Sequence, residues 1–124
     1  MTLLDIECAK KASELISHFK EADKDQKNKL RNILNSSIGV LQENGVYAFF
    51  LWLSSRKAKK AESEIAQKIE DSCKSLLSEQ KLIPGGADPL NASLFEELEK
   101  LILTKKLIEQ TLIYALYHAK AIEE

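Results

Sequence analysis

The sequence predicts an all-α protein, a compact bundle of about six helices forming a single domain over residues 1–124. Three observations carry this expectation. Apolar residues recur at three-and-four spacing along most of the chain, as they do on the packed side of an amphipathic helix. Only two valines occur, and residues 46–53 are the one run of strand-like composition, so a sheet would lack a second strand to complete its hydrogen-bond ladder. Chain breakers are concentrated, with both prolines and two of the four glycines inside residues 81–93.

Residues 3–22 are expected to form the first helix, with Cys8, Ala12, Leu15, Phe19 and Ala22 on its apolar face and Thr2 as N-cap. Lys10, Lys11, Glu14, Ser17, His18 and Glu21 fill its solvent face. A second helix follows over 26–43, burying Leu30, Ile33, Leu34, Ser37, Ile38 and Leu41, with Asp25 as its cap. Asn44-Gly45 ends it, because glycine tolerates the left-handed conformation that closes a helix. Residues 46–53 hold Tyr47, Phe49, Phe50 and Trp52, four of the eight aromatics, and are read as a short helix apolar on every side at the centre of the core.

Residues 54–60 lead into a fourth helix in which Ala61, Ile65, Ile69, Cys73 and Leu76 keep helical spacing to about Gln80. Beyond the loop at 81–93, Ser93 and Glu96 form a capping box. It opens a stretch with Leu94, Leu98, Leu101, Ile108, Leu112, Ala115, Ala119 and Ile122 on one face. Lys105 interrupts that stripe, so a break near Thr104-Lys105-Lys106 is expected to divide a fifth helix from a sixth.

Apolar residues at 44% and charged residues at 30% are the mixture of a water-soluble globule. No run approaches the about 20 apolar residues that span a bilayer, and the N-terminus has neither a basic n-region nor a small-residue cleavage site. The expectation is a cytoplasmic protein without a membrane partner. Cys8 and Cys73 form no C-x-x-C pair and are read as buried free thiols in a reducing compartment. The net charge of −1 conceals an uneven distribution: −2 over residues 1–23, +6 over 24–60 and −5 over 61–124.

Signatures of catalysis do not occur: there is no G-x-S-x-G, H-E-x-x-H, P-loop or G-x-G-x-x-G. The chain is therefore expected to be no enzyme, and to hold no metal, cofactor or small-molecule substrate. His18 and His118 each stand alone on a helix and read as surface residues. Glu96, Glu97 and Glu99 suit the positive end of a helix dipole better than acid–base work. The aromatics of 46–53 read as core rather than as a base-stacking platform, since an unbroken apolar run is costly to leave in water. Asn91-Ala92-Ser93 matches a glycosylation acceptor, but a chain without a signal peptide does not meet that enzyme.

Two basic clusters remain. Arg56, Lys57, Lys59 and Lys60 crowd the expected start of the fourth helix, and Lys24, Lys27, Lys29 and Arg31 the start of the second. Cations at a helix N-terminus oppose the macrodipole, a conflict that a docked phosphate resolves. The competing reading is an ordinary solvated face.

Residues 38–53, Ile-Gly-Val-Leu-Gln-Glu-Asn-Gly-Val-Tyr-Ala-Phe-Phe-Leu-Trp-Leu, followed by Arg56-Lys57, resemble the small helical subunit (the fifth Cmr protein) of the type III-B CRISPR Cmr effector complex. The likeness lies in an apolar helix, an Asn-Gly turn and an Ala- and Phe-containing helix ending in a basic residue. Residues 106–121 are similar to that family's last helix, and Ala9-Lys10-Lys11-Ala12 agrees with its first. Val46 stands where the family usually has leucine, and Tyr117 where a tryptophan is expected. The resemblance implies a non-catalytic antiviral-defence subunit of a ribonucleoprotein that stacks in several copies. Its partners would be other Cmr-type subunits, copies of itself, guide RNA and target RNA. The eight basic residues would be backbone contacts; a helical adaptor that binds only protein is the alternative.

Overall fold

The structure, a computed structural model, describes residues 3–80 and 98–122. Most of these residues are helical, in four helices rather than six: α1 (Leu3–Ser17), α2 (Lys24–Lys57), α3 (Ser63–Glu79) and α4 (Leu98–Ile122). Thr2, the loop at 81–93 and the Ser93–Glu96 capping box lie outside the described residues.

Helix α1 ends earlier than its apolar stripe. The Ser17 hydroxyl donates to the Glu14 carbonyl at 2.6 Å, and the chain then tightens into i→i+3 bonds, His18 N–H to Leu15 O and Phe19 N–H to Ile16 O. Phe19 stays buried because the tightened turn still points it inward. Lys11, expected in solvent, is only 8% exposed. Its ammonium reaches Glu79 at 2.6 Å and the Ser75 hydroxyl at 3.0 Å, so it ties α1 to α3 instead of facing water.

Helix α2 is capped by Asp23, not Asp25. Asp23 has extended backbone and its Oδ1 accepts from the Gln26 N–H at 2.8 Å. Asp25 falls in the first turn, where it pairs with Lys29 at 3.2 Å. At Gly45 the helix is broken by a residue at φ 90°, ψ −174°, which leaves two arms, 24–44 and 46–57. The arms fold back on one another, since Asn32 and Ser36 of the first share a cleft with Trp52 and Arg56 of the second.

The second arm is not apolar on every side. Val46, Phe49, Phe50 and Leu53 are buried, with the two phenylalanine rings edge to face at 5.0 Å, whereas Tyr47 and Leu51 are 52% and 46% exposed. Helix α3 turns Ile65, Ala66, Ile69, Cys73, Leu76 and Leu77 inward; Ala61 lies exposed before it. Helix α4 runs through the expected break. Lys105 lies beside the apolar stripe, its Nζ donating to the Gln42 carbonyl at 3.4 Å, while Thr104 takes the core position and is fully buried.

Helix α4 lies between α1 and α2, and α3 closes the bundle on their other side, packed on both while barely touching α4. One apolar core joins Leu15, Leu34, Phe49, Ile69 and Leu112 from all four helices. No helix among the described residues is long and apolar enough to cross a membrane.

Candidate polyanion interface

The first two turns of α2 carry Lys24, Lys27, Asn28 and Arg31 at positions i, i+3, i+4 and i+7, which places them on one face. They line a surface hollow of about 390 Å³. Lys27 also has a structural use, because its Nζ donates to the Ile122 carbonyl at 3.2 Å and so meets the negative end of the α4 dipole. Lys29 points to the adjacent stripe and is paired with Asp25. The expected conflict between these cations and the helix N-terminus is reduced locally by Asp23 and Asp25.

For the second cluster the dipole argument is overturned. Arg56 and Lys57 occupy the last turn of α2, where cations are favoured, and not the start of the following helix. Sequence spacing misled here because the helix continues past Ser54 and Ser55, the Ser55 hydroxyl donating to the Trp52 carbonyl at 2.6 Å. Lys59 and Lys60 lie exposed in the turn that leads to α3.

The cluster is divided in its partners. Lys57 pairs with Glu70, a carboxylate only 10% exposed that also accepts from Gln67 Nε2 at 3.3 Å. Arg56 stacks over the Trp52 ring at 5.1 Å from its centroid and reaches Glu62 through Nη1 at 3.5 Å. Its Nε is buried without a hydrogen-bond partner. Together with Asn32, Ser36, Trp52 and Glu62, Arg56 lines a second hollow of about 170 Å³.

Folding back at Gly45 sets Arg56, near the end of the second arm, beside Asn32 and Ser36 of the first. The first arm is about 30 Å long and the second about 18 Å at 1.5 Å per residue, so the end of the second lies alongside the middle of the first. Lys24, Lys59 and Lys60 extend into solvent, while Lys27, Lys29, Arg31, Arg56 and Lys57 are engaged within the chain. Asn28, Asn32, Ser36, Trp52 and Glu62 were not expected at the site. The spacing of Trp52 and Arg56, four residues apart on one helix, is the signal that marks that pair in the sequence.

A third hollow, of about 330 Å³ between α1 and α4, mixes Asp5, Glu109 and Lys106 with Leu103 and Leu107 and has no single charge sign. His18 and His118 are exposed, and among the described residues no three His, Cys, Asp or Glu side chains gather as metal ligands do. Cys8 and Cys73 are both buried and free. Burial raises the pKa of each; nearby Glu70 adds to the effect on Cys73. The hollows along α2 offer positive charge, neutral amide and hydroxyl groups and an aromatic face, groups able to hydrogen-bond an oxyanion. Compared with known proteins, the sequence matches no family model and no curated relative.

Proposed function

We propose that the chain is a non-catalytic helical subunit that contacts an RNA backbone, of the kind found as the small subunit of type III-B CRISPR effector complexes. The observation that carries the reading is that both basic clusters lie away from the turn at Gly45, one on the first turns of α2 and one at and just beyond its end, with Lys24, Lys59 and Lys60 extending into solvent. Such cations neutralise phosphates without reading bases, Lys24 from the first turn of α2 and Lys59 and Lys60 from the turn before α3. The sequence resemblance points the same way. The acidic segment 61–124 and the basic segment 24–60 would meet when copies associate head to tail.

Filter binding to a guide–target RNA duplex across a salt series tests this. Each phosphate neutralised contributes a slope of about −0.9 in log affinity against log salt, so replacing Lys24, Lys59 and Lys60 with alanine lowers the slope by up to about 3. These three substitutions leave the internal ion pairs intact. Binding that ignores both salt and the substitutions rejects the reading.

A second reading, a protein-only adaptor, has its own observation: most of the eight cations already interact within the chain, Lys29 with Asp25, Arg56 with Glu62, Lys57 with Glu70 and Lys27 with the Ile122 carbonyl, and Arg31 is engaged as well. Its mark is capture of partner subunits that survives nuclease treatment and the same three substitutions.

A further inference from the structure

Resting on the reading of α2 as a phosphate-binding element, we propose that the cleft between its arms is a subsite for one phosphate group. Arg56 is its recognising side chain, and Glu62 is the internal carboxylate that holds the guanidinium in the absence of that group.

The guanidinium is a fork of five donors that matches an oxyanion through two parallel bonds. Here it is under-used. Its contact with Glu62 through Nη1 is 3.5 Å, well beyond the roughly 2.7–2.9 Å of a charge-assisted bond. Its Nε is shielded from water and donates to nothing, the kind of orphan donor that folded proteins seldom leave. Trp52 lies against the guanidinium, 5.1 Å from ring centroid to Cζ, and limits its freedom, while Arg56 and Trp52 both line the cleft.

The opposite wall supplies neutral groups, the Asn32 amide and the Ser36 hydroxyl. The hollow is about 170 Å³ and open to solvent, against about 30 Å³ for one water in the liquid, so it has room for a tetrahedral oxyanion whether free or part of a chain. Lys59 and Lys60, in the turn between Arg56 and Glu62, add the long-range attraction that favours a multiply charged guest over a carboxylate. Glu62 sits at the N-cap of α3 without a side-chain bond to that helix, so no cap is lost when it yields Arg56.

Titration of the full 15N-labelled chain at constant ionic strength, followed at the arginine Nε–H resonances, tests the subsite. The probes are inorganic phosphate, dimethyl phosphate and acetate. The expected result is a saturable shift of the Arg56 signal with phosphate, several-fold tighter in Glu62→Gln. In Arg56→Lys, which keeps the charge but loses the fork, the Asn32 and Ser36 amide shifts are lost. A matching response to dimethyl phosphate assigns the guest to a nucleic-acid backbone, and a response to inorganic phosphate alone assigns it to a free or terminal phosphate. Linear drift at Lys59 and Lys60 with a silent Arg56, an equal response to acetate, or no gain in Glu62→Gln overturns the proposal.

Thermal melts establish that each variant is folded, and Ser36→Ala provides a second, milder weakening. RNA binding undiminished by Arg56→Lys sinks the subsite and leaves the functional reading standing. Saturable phosphate binding in a chain that ignores RNA does the reverse.

Discussion

Two expected helix breaks, at Gly45 and at 104–106, end differently: the first breaks and the second does not. At Gly45 the backbone itself departs, with a φ of 90° that side-chain-bearing residues rarely adopt. At 104–106 the signal was a lysine in an apolar stripe, and α4 passes straight through it. The difference teaches that a side chain of the wrong polarity is absorbed by a small rotation of register, whereas a missing Cβ changes which conformations exist. Lys105 moves beside the stripe and bonds the Gln42 carbonyl, Thr104 takes the buried position, and every peptide group remains helical.

The comparison is broken most forcefully by placing a true backbone breaker in α4. Thr104→Pro removes a helical hydrogen bond and clashes with the carbonyl four residues earlier, so it costs about 3 kcal/mol or more and abolishes cooperative melting or lowers its midpoint by many degrees. Chemical denaturation followed by circular dichroism reads this directly. Gly45→Ala is the converse. No atom lies within 4 Å of a Cβ built there, so the cost is backbone strain alone, about 1–2 kcal/mol in the same assay.

Unbroken α4 also covers Cys8, whose Sγ donates to the Leu107 carbonyl at 3.5 Å, and the pH dependence of stability reports on that packing. Both thiols titrate near 9.0 when unfolded and higher when folded. The unfolded chain therefore releases protons first as pH rises, and the stability that is full below pH 9 falls above it. Between pH 7 and pH 10 the loss is about 1 kcal/mol for each thiol that stays protonated in the fold, and Cys73→Ala removes its share from the slope. Urea melts across this range check the sign. The smallest effect belongs to Thr104 itself. Its Oγ1 is buried with no hydrogen-bond partner, unlike Thr111, which donates to the Leu107 carbonyl at 2.8 Å. Thr104→Val keeps the shape and removes the orphan hydroxyl, raising stability by about 1 kcal/mol or less.

The pattern of the core was legible in the sequence because helical spacing is a local property. Leu30, Ile33, Leu34 and Leu41 on one arm, and Ile65, Ile69, Cys73 and Leu76 on α3, are buried as their spacing requires. The number of helices was not, since it depends on whether an interruption acts on the backbone or on a side chain. Lys11 escaped for a related reason. Its neighbours along α1 give it a solvent face, and only Ser75 and Glu79 from another helix make its burial tolerable.

The candidate site was legible in composition and not in arrangement. Eight basic residues were visible as two clusters, but their division into engaged and extended side chains depends on Asp25, Glu62, Glu70 and Ile122. Glu62 and Glu70 belong to the acidic part of the sequence; Glu62 follows Arg56 by six residues, and Glu70 meets Lys57 because the turn at 58–62 folds α3 back on α2. Trp52 was assigned to the core because its run is apolar, while its position four residues before Arg56 gives it a second role at the cleft wall.

One glycine alone turns α2 back on itself, so the direction of the short arm is set by two bond rotations at residue 45 and held by Val46, Phe49, Phe50 and Leu53 in the core. Residue 56 lies about 16 Å along that arm, so a rotation of only 10° at the pivot swings it by about 3 Å, as far as one hydrogen bond is long. The aperture between Asn32 and Arg56 is thereby governed from a position that touches neither. Replacements at residue 45 are therefore felt at the far end of the arm before they are felt next door.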